Sequence, residues 1–140
     1  RQMCIRDRGK GKMVADFQNF MQVFNGLGLC KFIAKAGVGP QLLAEWTNLA
    51  LGWDWKVEDV LSTGERTFNL KRLINARWGI SRKDDTLPPR MLSHPRPSGS
   101  AQGNLPHLGK MLHEYYEARG WSEDGLPTPE KLEELGLSDL

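Results

Sequence analysis

From Met13 to Phe24 the apolar residues Val14, Phe17, Phe20, Met21 and Phe24 recur at steps that place them on one face of a helix. Asn25-Gly26 ends that helix, because glycine tolerates the left-handed backbone of a helix cap. Gly39-Pro40 opens a second helix, with proline at the first position, where it forfeits no hydrogen bond. Its stripe is Leu42, Leu43, Trp46, Leu49 and Ala50, and Gly52 closes it. Asp54 is the expected cap of a third helix from Trp55 to Trp78. There Val57, Val60, Leu61, Gly64 and Phe68 share a face that Leu70, Leu73 and Ile74 widen. A glycine on an apolar face costs a helix roughly 1 kcal/mol against alanine. Gly64 therefore predicts one unbroken helix with a neighbour packed closely against it.

Residues 79–104 lose the period, and Pro88, Pro89, Pro95 and Pro97 mark an extended connection. A further helix carries Leu105, Leu108, Met111, Leu112 and Tyr115 as its buried stripe and stops at Arg119-Gly120. Thr128-Pro129 reads as a cap and first helical residue, leading through Leu132 and Leu135 to Gly136. No window alternates as a strand does, and no repeat is evident. The expected class is all-α.

Composition narrows the field. A length of 140 residues is that of one domain, and 39% hydrophobic with 26% charged residues is ordinary for a globular chain. The net charge of +2 from 19 basic and 17 acidic residues leaves no footprint for nucleic acid or anionic lipid. No apolar run approaches a membrane span, and two cysteines make no disulfide framework, so the cytoplasm is the expected compartment. Residues 1–8, R-Q-M-C-I-R-D-R, have no structural period and read as a non-native scar. Cys4 is set aside with them, and the chain is read as a fragment whose residues 138–140 form a tail.

The candidate chemistry is thin when each residue stands alone. Cys30, between Leu29 and Phe32, reads most simply as a small buried hydrophobe. A cluster or zinc site needs about four protein ligands, so one thiol can only complete a site begun elsewhere. His94, His107 and His113 make no metal pair, and His113 is expected at the surface. No nucleophile motif is present, and no catalytic residue is assigned. Asp84-Asp85 suits capping or an ion pair with Arg82 or Lys83, and G-K-G-K at 9–12 suits a solvated basic turn. Trp53, Trp55, Trp78 and Trp121 fall near helix ends, where they would seal packed helices.

Three blocks change this picture when read in order: N-G-L-G-L-C-K-F, then G-E-R-T-F-N-L-K-R-L-I-N-A-R-W-G-I-S-R-K-D-D-T-L-P-P-R, then Y-Y-E-A-R-G-W-S-E-D-G-L-P-T-P-E-K-L-E-E-L-G-L. Together they resemble the C-terminal helical domain of the tungsten-pterin aldehyde:ferredoxin oxidoreductase family, over residues 9–137. In that family an Asp-x-x-Gly-Leu-Cys motif joins two cofactors. The resemblance maps it onto Asn25, Gly28, Leu29 and Cys30. It implies that position 25 contacts the pterin, that the Gly-Leu turn lets backbone approach it, and that Cys30 is the last ligand of a [4Fe-4S] cluster. Asn25 departs from the family's Asp. An amide accepts through one oxygen where a carboxylate accepts through two with charge assistance, so an altered contact is expected.

The same resemblance implies oxidation of a small aldehyde to a carboxylic acid at a tungsten or molybdenum pterin, with ferredoxin taking the electrons. The near-balanced charge and the lack of an apolar span argue for no nucleic-acid or membrane partner, and a homodimer stays open. Arg66, Arg72, Asn75 and Arg77 are expected to make hydrogen bonds or ion pairs between helices. Arg119-Gly120-Trp121 is expected to fix a helix end. The rival reading is a free-standing helical interaction module without redox activity.

Overall fold

The computed structural model describes residues 9–139, so the scar reading of residues 1–8 lies outside the described part, as does Leu140 of the expected tail. The described residues contain seven α-helices: α1 (Lys10–Gly26), α2 (Phe32–Lys35), α3 (Pro40–Leu51), α4 (Val57–Arg77), α5 (Pro89–Ser93), α6 (Leu108–Arg119) and α7 (Pro129–Glu134). A 3-10 turn, Arg82–Asp84, lies between α4 and α5. Pairing of β type among these residues is limited to two isolated bridges, Arg96 with Gln102 and Trp121 with Pro127. The architecture is all-α, as the periodicity implies.

Helix α1 is the shared element, packed against α4 on one side and α6 on the other, while α3 packs on α4. A glycine stands at each seam of α1. A Cβ on Gly64 would overlap the Asn19 carbonyl oxygen and press on Val23. A Cβ on Gly11 would lie 2.5 Å from the backbone of Glu114 and Tyr115. Gly64 thus does what its place on the apolar face predicts, within one unbroken α4. The basic segment at 9–12 is not a solvated turn. Lys10, Gly11 and Lys12 form the first turn of α1, and Gly11 is buried because α6 needs its missing side chain to come so near.

Helix ends follow the local chemistry. Pro40 starts α3 and Gly52, at φ 70°, ends it. Thr128 accepts from the Lys131 N–H at 3.3 Å to start α7. Asp54 is not the cap of α4. That helix begins at Val57, and the Asp59 carboxylate reaches back to accept the Lys56 N–H at 2.8 Å.

Helix faces depart further from the expected stripes. The core is Phe24, Leu43, Ala44 and Val60, with Phe20, Met21, Leu29, Ile33 and Trp55 packed around it. On α1, Val14 and Phe17 are exposed. On α3, Leu42, Trp46 and Leu49 point outward, Leu49 at 85% exposure, whereas Leu43, Ala44 and Thr47 turn in. Thr47 can be buried because its hydroxyl donates to the Leu43 carbonyl at 2.6 Å. The α6 stripe is only half-buried, and the residues it fully buries are Tyr116 and Arg119. Trp121 is buried and Trp55 half-buried, while Trp53 and Trp78 are exposed, Trp53 with its ring 4.4 Å from that of Trp55.

Candidate functional site

The G-L-C segment begins where α1 ends, and the backbone there has a specific form. The Leu29 N–H donates to the Phe24 carbonyl at 2.9 Å, and the Gly28 N–H donates to the Asn25 carbonyl at 3.3 Å. This is the Schellman pattern, which satisfies carbonyls left open at a helix end. It needs a left-handed residue at position 28, where Gly28 has φ 67°. It also places Leu29 against Phe24 in the core. Gly28 and Leu29 therefore fix the direction in which the chain leaves α1. Nothing lies within 4 Å of where a Gly28 Cβ would stand, so that side is open to the approach of a bulky group.

Cys30 follows with a free, exposed thiol. The burial expected from its apolar neighbours is not seen, because Leu29 alone turns into the core and the next residue points away from it. Its carbonyl accepts from the Ile33 N–H at 3.1 Å as α2 begins, which fixes the backbone on the far side of the thiol. Asn25 is exposed on the last turn of α1, and its amide N–H2 donates to Gln22 Oε1 at 3.5 Å. Lys71 of α4 donates to the same oxygen at 2.9 Å. Sequence reasoning misses Gln22 and Lys71, since neither belongs to a motif. Asn25, Gly28, Leu29 and Cys30 are thus gathered at one helix end. Among the described residues no three His, Cys, Asp or Glu side chains come together as a metal site. As a donor set the segment fits one thiolate ligand of a cluster and no more.

A polar hub clamps the other half of α1. The Arg119 guanidinium is fully buried and donates to Tyr115 Oη at 3.1 Å, Gln18 Oε1 at 2.7 Å, the Ala15 carbonyl at 3.1 Å and Asn19 Oδ1. It also lies 4.0 Å from the centre of the Phe68 ring. Where the sequence suggests that Arg119 fixes the end of α6, its side chain instead holds α1. Burial raises the Tyr115 hydroxyl above its usual pKa although Arg119 opposes the shift. Asp85 pairs with Arg72 through both oxygens, at 3.0 and 2.6 Å, and accepts from the Tyr116 hydroxyl. Its partner is therefore Arg72 and not the neighbouring Arg82 or Lys83, because the 3-10 turn swings Asp85 towards α4. Asp84 caps that turn through the Ser81 N–H at 2.8 Å. Tyr116 is raised by burial and by its bond to Asp85. Arg66 donates to the Leu135 carbonyl at 2.7 Å, so Arg66 and Arg72 bridge separate segments, but to the end of α7 and to loop residues rather than from helix to helix. His113 is exposed beside Glu123, also as expected.

Between α1, α4, α6 and residues 84–87 lies a cleft of about 660 Å³. Val14, Phe68, Leu108, Met111 and Leu112 make much of its wall, and Gln22 and Lys71 also line it. Gln22 thus belongs both to the cleft and to the surroundings of Asn25.

Against known proteins, a sequence model of aldehyde ferredoxin oxidoreductase, domains 2 & 3, matches residues 2–137. Over 132 residues the chain is 44% identical to the tungsten-containing aldehyde ferredoxin oxidoreductases of Pyrococcus abyssi and Pyrococcus furiosus, covering 94% of this chain and 22% of each relative. It is 33% identical over 120 residues to the aliphatic sulfonate oxidoreductase, WOR-like subunit, of Pyrococcus furiosus, covering 79% of this chain and 19% of that protein. The BamBC active site complex of benzoyl coenzyme A reductase, solved with 1,5-dienoyl-CoA, shares the fold at a TM-score of 0.73 and 23% identity, over 92% of this chain and 19% of that one. The chain spans about a fifth of the length of the curated relatives it matches. With the helical architecture and the family-model match in agreement, the chain belongs to the aldehyde ferredoxin oxidoreductase family.

Proposed function

We propose that this chain is the cofactor-facing, C-terminal helical part of an oxidoreductase. That enzyme oxidises aldehydes to carboxylic acids at a tungsten or molybdenum pterin and passes electrons through a [4Fe-4S] cluster to ferredoxin. The observation that carries this reading is Cys30, an exposed thiol held on both sides by backbone hydrogen bonds directly after a Schellman turn. When bound, the pterin-held metal would take up the two electrons of RCHO + H₂O → RCOOH + 2H⁺ + 2e⁻.

The residues of this chain have separate tasks in that scheme. Cys30 would give one thiolate to the cluster, one of the four ligands that such a cluster needs. Asn25 would accept from the pterin through Oδ1, its N–H2 side being turned to Gln22. One neutral oxygen in place of a carboxylate would weaken that contact. Gly28 would leave room there for a cofactor edge, since nothing lies within 4 Å of its Cβ position.

In the full-length polypeptide, Cys30→Ser is expected to lower iron by about one cluster per chain and to remove the reduced-cluster signal in electron paramagnetic resonance. Iron content and signal equal to the parent's would overturn the reading. They would favour a helical interaction module instead, for which the outward Leu42, Trp46 and Leu49 face of α3 is the supporting observation.

A further inference from the structure

We infer that the outward face of α3, Leu42, Trp46 and Leu49, is the seat of an apolar helix supplied by the rest of the same polypeptide. The inference rests on reading the chain as part of a longer oxidoreductase, and not on its cluster. Helix α3 has one charged residue, Glu45, among its twelve. A helix at a finished protein surface keeps a polar side, and one that is apolar all round is buried. Among the described residues α4 alone packs extensively on α3, and the residues that α3 buries are Leu43, Ala44 and Thr47. At 3.6 residues per turn, Leu42, Trp46 and Leu49 lie about 140° round the helix from that strip. They form a second apolar face, with Leu49 almost fully in solvent.

Spacing and size name the occupant. Steps of four and then three residues make a seam of the kind that meets one partner helix. That helix comes from a second copy of the chain or from the same polypeptide, and area decides between them. A stable complex of free partners buries about 800 Å² on each. Three side chains, with Leu42 and Trp46 already more than half covered, offer much less. A tethered segment needs less area, because its effective concentration reaches about the millimolar range. The tungsten-containing relatives carry most of their length outside the part this chain matches, which is 22% of each. Glu45 stands beside the seam, so the covering helix presents a cation or a neutral residue there, an acid being repelled. On the opposite side of α3, Leu43 and Ala44 share the core with Phe24, against which Leu29 packs. The covering helix thus presses α3 onto the platform that carries Cys30.

In the full-length polypeptide, Leu49→Cys puts a thiol at the most exposed position of the face. Its alkylation by N-ethylmaleimide, read at that site by mass spectrometry, tests the assignment. The native protein should react about 100-fold more slowly than the same protein in urea, because reaction waits on local opening. The slowing should be the same at about 0.1 and about 10 μM protein, since a tethered helix does not dissociate on dilution. A slowing of less than about tenfold overturns the inference. So does protection that is lost on dilution, which assigns the face to a second copy. The parent protein gives a readout with no substitution. Hydroxyl-radical oxidation of Trp46 should be at least about tenfold slower in the native protein than in urea, and any smaller difference overturns the inference. If position 49 reacts freely while iron and the reduced-cluster signal are intact, this inference fails and the redox reading stands. Failure of the redox reading shows separately, in Cys30→Ser.

Discussion

At the scale of single residues, the smallest side chain and one of the largest do most to hold α1. Gly64 lets the α1 backbone reach α4, and the surroundings offer nothing flexible that could move aside, since the nearest atoms are backbone of Asn19. Gly64→Ala should therefore destabilise the chain by about 3 kcal/mol, an overpacking cost. Gly109→Ala, in α6 with nothing within 4 Å, should stabilise it by about 0.5–1 kcal/mol. Denaturant midpoints of the two variants check the pair, and equal shifts would contradict close packing at Gly64. Gly64 is legible in the sequence because a glycine on an apolar helical face weakens the helix unless a neighbour needs the room. Arg119 is not legible in this way. Its acceptors Gln18 and Asn19 lie about a hundred residues away, and no hydrophobic period marks a buried cation.

At the scale of elements, ends are easier to read than faces. Pro40, Gly52, Thr128-Pro129 and Gly120 act through their own backbone chemistry, which needs no knowledge of neighbours. Faces depend on what lies opposite. The spacing on α3 marks Leu42, Leu43, Trp46, Leu49 and Ala50, yet α4 takes only the narrow strip of Leu43, Ala44 and Thr47. The site shows the same division. Spacing alone makes Cys30 a buried hydrophobe, and only the resemblance supplies its expected role. The Schellman turn gives Gly28 a conformational reason independent of any cofactor. Gly28→Ala should cost roughly 1 kcal/mol, because a side chain disfavours the left-handed backbone. It should also re-aim Cys30, so the thiol's reaction rate with an aromatic disulfide reagent should change severalfold. An unchanged rate would show that the turn does not set the thiol's position.

At the scale of the whole molecule, the titrating groups with shifted pKa push stability in one direction at high pH. Burial raises Tyr115 and Tyr116, and Lys131 is raised because Glu134 and Glu65 outweigh the burial that opposes its charge. Each folded pKa lies above its unfolded value, so the unfolded chain loses these protons first as pH rises. Their stabilisation is fully present below about pH 10 and fades above it, as pH passes the folded values. The denaturant midpoint should hold between about pH 8 and 9 and fall between about pH 10 and 11.5. A flat or rising midpoint over that last interval would contradict the burial of the two tyrosines. Among the described residues no helix is long and apolar enough to cross a membrane. The double packing of α1 also bears on the order of events during synthesis. The cysteine turn and the core beneath it, Phe24, Leu43, Ala44 and Val60, all lie in the first half of the chain. Arg119 follows Val60 by 59 residues (119 − 60), which a ribosome adds in roughly 3–12 s. The platform that carries Cys30 has those seconds to assemble on the nascent chain before the arginine that clamps α1 from the other side has been made.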